Sequence, residues 1–355
     1  MIRQLRCVFL VMLVCALCQW MAPARMSSMS PAWAAVPGVA CNATMTSITF
    51  GNVDPYNFGY GFLGLSGGNY NLNTTGFLTY YCTNTTAATK TITGCFSIGN
   101  PGGATQRVMV GPSNDQLDYQ LYQDPANTQP WGSLSNTAWG NPVAVNITVP
   151  ANGTSVPATL PVYATVASNQ GGSIFGIPLG QLAAGTYNAN YGSSDVMFDT
   201  ANGAGATCVA GSGGGTINGF QVSANVQQTC QVTTNPLTFP TPAGGDPSGA
   251  TATTTLQVSC TSHTGYQVGL DNGKNFDGSN RRMRGGPTNS DYISYGLYQN
   301  SGNTIPWGNT PGTGGNTVTG TSSNQTFTVY GKVNTGQGAV SAGDYFDAVT
   351  VYVYY

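Results

Sequence analysis

Ala342-Gly343-Asp344-Tyr345-Phe346-Asp347-Ala348-Val349-Thr350-Val351-Tyr352-Val353-Tyr354-Tyr355 is the stretch on which the reading of the fold turns. From Ala348 onward nearly every residue is β-branched or aromatic, the composition of a half-buried pleated surface, and this predicts a strand. The chain ends there, so the expectation is a sheet whose last position is filled from elsewhere, with Val349, Val351, Val353 and Tyr355 forming the strand at a subunit joint.

Working outward, the beginning of the chain predicts export. Arg3 and Arg6 precede the apolar run Cys7 to Leu17, and Ala32-Trp33-Ala34 supplies a small-x-small cleavage pattern, so residues 1–35 read as a signal peptide. The apolar run is too short to span a bilayer. Of the nine cysteines, Cys7, Cys15 and Cys18 leave with that segment, and an even set of six remains: Cys41, Cys82, Cys95, Cys208, Cys230 and Cys260. Six cysteines in an exported chain predict three disulfides.

Charged residues make up only 6% of the chain, with a net charge of -2, which gives no electrostatic footprint for nucleic acid or an anionic membrane. Forty-nine glycines, with abundant Asn and Thr, fit short strands joined by many turns, hence an all-β chain.

The mature length predicts two domains, and an internal duplication supports them. Cys41-Asn42-Ala43-Thr44 through Ile48-Thr49-Phe50 corresponds to Cys230-Gln231-Val232-Thr233 through Leu237-Thr238-Phe239. Phe77 to Thr83, ending Tyr81-Cys82-Thr83, answers to Thr255 to Thr261, ending Ser259-Cys260-Thr261. Gly111-Pro112-Ser113-Asn114 and Leu121-Tyr122-Gln123 recur as Gly286-Pro287-Thr288-Asn289 and Leu297-Tyr298-Gln299. Pro130-Trp131-Gly132 returns as Pro306-Trp307-Gly308, Val162-Tyr163 as Val329-Tyr330, and Ala184-Gly185-Thr186-Tyr187 as Ala342-Gly343-Asp344-Tyr345. Each copy alternates short apolar-polar runs with turn residues and reads as an immunoglobulin-like β-sandwich. The repeat pairs Cys41 with Cys82 and Cys230 with Cys260, leaving Cys95 and Cys208 to pair by elimination. The expected boundaries are 36–227 for a self-complete N-terminal domain and 228–355 for a C-terminal domain lacking its last strand.

These blocks resemble the spore coat protein U domain family, the fold of archaic chaperone-usher pilins. The resemblance covers nearly the whole mature chain, twice, and rests on the Cys41 and Cys230 starts, Phe50-Gly51-Asn52-Val53-Asp54-Pro55, the Leu-Tyr-Gln and Trp-Gly blocks, and Ala-Gly-x-Tyr. It implies a sandwich lacking one strand, filled first by a periplasmic pilus chaperone and then by the N-terminal strand of an adjacent pilin subunit, with an outer-membrane usher assembling the fibre. It also implies passage through the periplasm to the cell surface at the pilus tip. Only Val36-Pro37-Gly38-Val39-Ala40 separates the expected cleavage site from Cys41, too short to fill a groove, which suits a subunit that accepts a strand and donates none. Thr216 to Val226, half of it alternating, reads as the closing strand of the first domain, with no such segment after Val353.

The first copy is longer in three places: between its cysteines (41 positions against 30), from the Trp-Gly tryptophan to the Val-Tyr tyrosine (32 against 23), and from there to the Ala-Gly-x-Tyr tyrosine (24 against 15). The first insertion holds Tyr56, Phe58, Tyr60, Phe62, Leu63 and Leu65; the second holds Trp139; the third holds Ile174, Phe175, Ile177, Leu179 and Leu182. Contiguous exposed apolar loops mark interaction surfaces. The resemblance extends to tip subunits of the Csu type, whose apolar finger loops stick to hydrophobic surfaces. The expectation is therefore a tip subunit binding hydrophobic or host surfaces and promoting biofilm, with a carbohydrate-binding tip adhesin or a structural coat protein as alternatives.

Catalytic chemistry finds no support. His263 is the sole histidine and stands in a turn after Cys260, the carboxylates form no acid/base pair, and the six cysteines beyond the signal segment include no C-x-x-C pair to suit zinc, so neither enzyme activity nor a cofactor is expected. Arg281, Arg282 and Arg284 read as a basic cluster on the solvated face of a strand.

Overall fold

The computed structural model describes residues 35–54, 72–166, 182–241, 245–320 and 324–355. Residues 1–34 of the expected signal segment and the loop residues Tyr56, Phe58, Tyr60, Phe62, Leu63, Leu65, Ile174, Phe175, Ile177 and Leu179 lie outside them.

The all-β expectation is met: among the described residues strands dominate, with three single-turn 3-10 helices between them. Strands between residues 39 and 226 form two sheets. Neighbour by neighbour, the larger holds Gln120–Tyr122, Ala158–Val166, Leu72–Asn84, Val39–Met45, Gly214–Ile217, Val196–Asn202, Lys90–Ile98 and Val143–Val149. The smaller holds Ile48–Val53, Phe220–Val226, Gly185–Tyr191, Val108–Val110 and Gln116–Asp118. Between residues 230 and 354 the same pattern returns in reduced form. Cys230–Thr234, Thr251–Cys260, Asn324–Val333, Tyr292–Tyr298, Arg281–Gly285 and Tyr345–Phe346 make one sheet, and Val318–Gly320, Tyr266–Leu270 and Val351–Tyr354 the other.

Alternation decides which face each strand buries. In Phe220–Val226 the side chains of Phe220, Val222, Ala224 and Val226 are buried, while Gln221, Ser223 and Asn225 turn outward. Each half has its own apolar core, one centred on Trp131, Tyr187 and Phe96, the other on Trp307, Leu256 and Val258. The three expected disulfides form, Cys41–Cys82 and Cys230–Cys260 each joining residues directly opposite on paired strands, and Cys95–Cys208 bridging two more distant segments.

The repeated blocks turn out to be the frame of each sandwich. The Trp131 indole donates to the Phe96 carbonyl at 2.8 Å, and the Trp307 indole to Val268 at 2.9 Å. The Gln123 amide donates to the carbonyls of Pro130 and Asn141, and the Gln299 amide to those of Pro306 and Asn316. The Tyr187 hydroxyl donates to the Ala183 carbonyl four residues back, and Tyr345 to Ser341 likewise, while Asp115 and Asp291 accept from the Ala183 and Ser341 amides.

One expectation about the basic cluster is overturned. Arg281 is buried, its guanidinium donating to the carbonyls of Leu270, Trp307 and Asp271, each at 2.8 Å. Arg107 does the same in the first half, donating to Ile98, Gly99 and Trp131. A guanidinium offers five fixed donors, enough to satisfy the carbonyls where a strand end meets the tryptophan loop. Burial lowers the pKa of both arginines, and neighbouring tyrosines oppose that shift. Arg282 pairs with Asp277 and lies over the Tyr292 ring, and Arg284 is exposed.

Candidate functional site

The site is best read by asking what surrounds the closing strand of the first half. That segment comprises two strands in different sheets. Gly214–Ile217 lies between Val39–Met45 and Val196–Asn202; after a break at Asn218-Gly219, Phe220–Val226 crosses into the other sheet. There it runs parallel to Ile48–Val53 and antiparallel to Gly185–Tyr191, with Val222 opposite Ala189 and Phe220 opposite Tyr191. The glycines have a steric reason. A Cβ on Gly215 would sit 2.4 Å from the Phe198 ring, and Gly214, at φ +101°, faces Thr200 as closely.

The inward-facing residues around this strand are consequently buried: Ile48, Phe50 and Val53 on one side, Tyr187, Ala189 and Tyr191 on the other. The Phe220 and Tyr191 rings stack at 4.3 Å.

In the second half no strand occupies either position among the described residues. Val351–Tyr354 pairs with Tyr266–Leu270 on one side, its other edge unpaired, and Cys230–Thr234 likewise pairs only with Thr251–Cys260. Leu237-Thr238-Phe239, matching Ile48-Thr49-Phe50, forms no strand, because the strand it would pair with is missing. The side chains that would enclose such a strand (Val232, Leu237, Phe239, Val349, Val351 and Val353) are half-buried and pack against the core from one side only. The result is a groove with apolar walls and two rows of unpaired backbone groups, the feature that natural sheets ordinarily cover.

Of the four residues expected at the joint, Val351 and Val353 lie within the strand, Val349 precedes it and Tyr355 follows it with 57% of its surface exposed. Ala348 to Thr350 is not part of the strand: the Thr350 amide is taken by the Asp271 carboxylate at 2.9 Å. Sequence reading missed Asp347, which shares the inward face with Tyr345 and Val349. It accepts from the Tyr295 hydroxyl at 2.7 Å and the Asn275 side chain at 3.1 Å. Burial first, and the Asp347 hydrogen bond second, push the Tyr295 pKa upward.

The second insertion is partly described. Trp139 is half-buried at the end of the 3-10 turn Thr137–Trp139, whose amide at Ala138 is capped by the Asn136 side chain. Leu182, read as part of an exposed loop, is buried at 2%, and its carbonyl accepts from the Ser262 amide of the second half at 3.0 Å. The Leu182 side chain joins the first-half core, so the end of the third insertion folds inward, and its backbone lies beside the second half. His263 is exposed in the turn that follows, at φ 59°.

The chain is thus a double sandwich in which one copy is closed and, among the described residues, the other is open. The chain belongs to the Spore Coat Protein U domain family, whose model matches residues 31–190 and 216–352. No curated protein matches it. Among solved structures it is similar to the CsuC-CsuE chaperone-tip adhesion subunit pre-assembly complex from archaic chaperone-usher Csu pili of Acinetobacter baumannii. The identity there is 15% and the TM-score 0.47, over 89% of this chain and 100% of that one. It is also similar to the CupB6 tip adhesin of Pseudomonas aeruginosa, at 10% identity and TM-score 0.32, over 88% of this chain and 94% of that one. A third likeness is to CfaE, the adhesive subunit of CFA/I fimbria of enterotoxigenic Escherichia coli, at 9% identity and TM-score 0.31, over 88% and 92% of the two chains.

Proposed function

We propose that the protein is the tip subunit of a chaperone-usher pilus, attached to the fibre by a strand that another chain inserts into the second half. The observation that carries this reading is the contrast at one place in the fold. Gly214–Ile217 and Phe220–Val226 fill it in the first half, and the second half presents an open groove with apolar walls. Inserting a strand there would supply main-chain hydrogen bonds to both exposed edges and cover the half-buried side chains, each worth about 1.5–3 kcal/mol when fully buried. A chaperone would hold the groove during export, an usher would mediate the exchange, and an adjacent pilin would supply the lasting strand.

The first half, closed by its own strand, is free to make the contact with a surface. The apolar residues of its insertions, among them Phe62, Leu63, Phe175 and Ile177, suit attachment to hydrophobic surfaces and biofilm formation, because apolar contact needs no particular ligand and many fibres multiply a weak attachment. Two experiments test the reading. The exported full chain should accumulate only when a pilus chaperone or donor-strand peptide is supplied; a soluble, stable full chain without either would refute strand acceptance. Polar replacement of those four residues should abolish attachment to plastic with fibre number unchanged.

A second reading has its own support. The outer face of the larger first-half sheet exposes Phe77 (48%) and Tyr81 (40%) beside hydroxyls such as the Thr79 and Thr159 pair, 3.1 Å apart. Aromatic faces next to uncharged hydroxyls suit a neutral sugar, and a glycan array that returns a tight ligand lost on Tyr81→Ala would favour it.

A further inference from the structure

The first half is a residue-by-residue template for what the open groove can hold. Tyr187 and Tyr345 make the same corner hydrogen bond. Beside them, Asn188 pairs with Val110 and Phe346 with Arg284, each three residues beyond a buried arginine, Arg107 or Arg281. The two strands are thus in the same register, and Ala189 corresponds to Asp347, Tyr191 to Val349.

The correspondence exposes a chemical difference. In the first half Ala189 faces Val222 of the closing strand, both buried, an apolar pair. At the same inward position the second half holds a carboxylate. Oδ2 of Asp347 accepts from the Tyr295 hydroxyl at 2.7 Å, and Oδ1 accepts from the side chain and backbone of Asn275 at 3.1 and 3.3 Å. A carboxylate has about four acceptor sites, so a place remains for a donor approaching from the groove. A strand laid along Tyr345 and Val349 would bring one inward side chain directly opposite Asp347, at about 5 Å between Cβ atoms. An aliphatic side chain there would strip water from the carboxylate and return nothing, whereas a hydroxyl or amide would replace the lost hydrogen bond.

Resting on the reading above that the groove accepts a strand, we propose that Asp347 selects which strand. The occupant is a strand of another subunit that carries Thr, Ser or Asn, not an aliphatic residue, at the place Val222 holds in the first half. Its flanking inward residues are apolar, to meet Tyr345, Val349 and Leu237. The selection works against self-association as well. The segment 214–226 of a second copy would set Val222 against Asp347, so copies of this chain are poor donors to one another, a specificity obtained by penalising the wrong partner.

The test uses the full chain and two peptides, one with the sequence of residues 214–226 and one in which it carries V222T. The V222T peptide is expected to bind about tenfold more tightly, and Asp347→Ala, which installs the first-half residue, is expected to reverse that order. Asp347→Asn, closer in shape, should bring the two peptides toward parity and guards against a folding defect in the alanine variant. Equal binding of both peptides to the unaltered chain would overturn selection by Asp347 while leaving strand acceptance standing. Failure of either peptide to bind any variant would overturn both.

Discussion

Between Ile48–Val53 and Gly185–Tyr191 the first half holds Phe220–Val226; between Leu237-Thr238-Phe239 and Tyr345–Phe346 the second half holds no strand among the described residues. The surroundings respond accordingly. Ile48 and Phe50 are buried in a paired strand, whereas Leu237 and Phe239 are half-buried in a segment with no ladder. Near-identical frames, with the same tryptophan, glutamine, arginine and tyrosine-corner bonds, thus carry two different outcomes. The frame sets where a strand must lie, and in the first half the strand that lies there is supplied by a later segment of the same chain.

The most damaging way to break the comparison is to move the acidic residue across it. Ala189→Asp places an unpaired carboxylate in a closed core and is expected to cost at least about 4 kcal/mol, enough to unfold the first half. The reciprocal Asp347→Ala in the open groove should cost about 1 kcal/mol. Urea denaturation followed by tryptophan fluorescence would check both. Next come the buried arginines. Arg107→Met leaves the carbonyls of Ile98, Gly99 and Trp131 unpaired and should cost about 3–5 kcal/mol; Arg281→Met, in a core open on one side, about 2–3 kcal/mol. A loss from Arg281→Met equal to that from Arg107→Met would mean that the second core is as closed as the first.

A smaller difference is expected at the tyrosine corners. Tyr187 is fully buried and Tyr345 half-buried, so removing the hydroxyl should cost about 1–2 kcal/mol in Tyr187→Phe and about 0.5 kcal/mol in Tyr345→Phe, read as shifts in the urea midpoint. The smallest effect concerns pH. Burial works to raise the pKa of Asp271, but hydrogen bonds from Thr350 and Gly273, aided by Arg281, outweigh it and hold the carboxyl below its usual range. Its contribution is therefore present above the unfolded carboxylate range and is lost as pH falls through the lowered folded value. Amide exchange in Val351–Tyr354 should accelerate, beyond the intrinsic pH trend, on acidification through that range, while Val196–Asn202, clamped on both sides, keeps its protection.

Much of this was legible in the sequence. The duplication, the three cysteine pairs, the strand-rich character and the closing role of Thr216 to Val226 follow from periodicity and matched blocks, because side chains that fix a frame must recur wherever the frame recurs. The rest was hidden for physical reasons. Arg281 beside Arg282 and Arg284 looks like a solvated cluster, and only the carbonyls that converge from Leu270, Trp307 and Asp271 make its burial favourable. The two strands of the closing segment lie in different sheets, a switch signalled only by Asn218-Gly219. Asp347 reads as an ordinary turn acid until the register of Tyr345 assigns it an inward face.

The connection between the halves has a mechanical consequence. Phe220–Val226 is bonded along both edges, and only Gln227-Gln228-Thr229 separates its end from Cys230. Traction on the second half therefore pulls this strand along its own axis, so its interstrand bonds are loaded in shear and must fail together. Opened from an end, a hairpin would surrender the same bonds one at a time under far less force. The same strand that completes the first core is thus also the element through which a pull on the second half would reach the first.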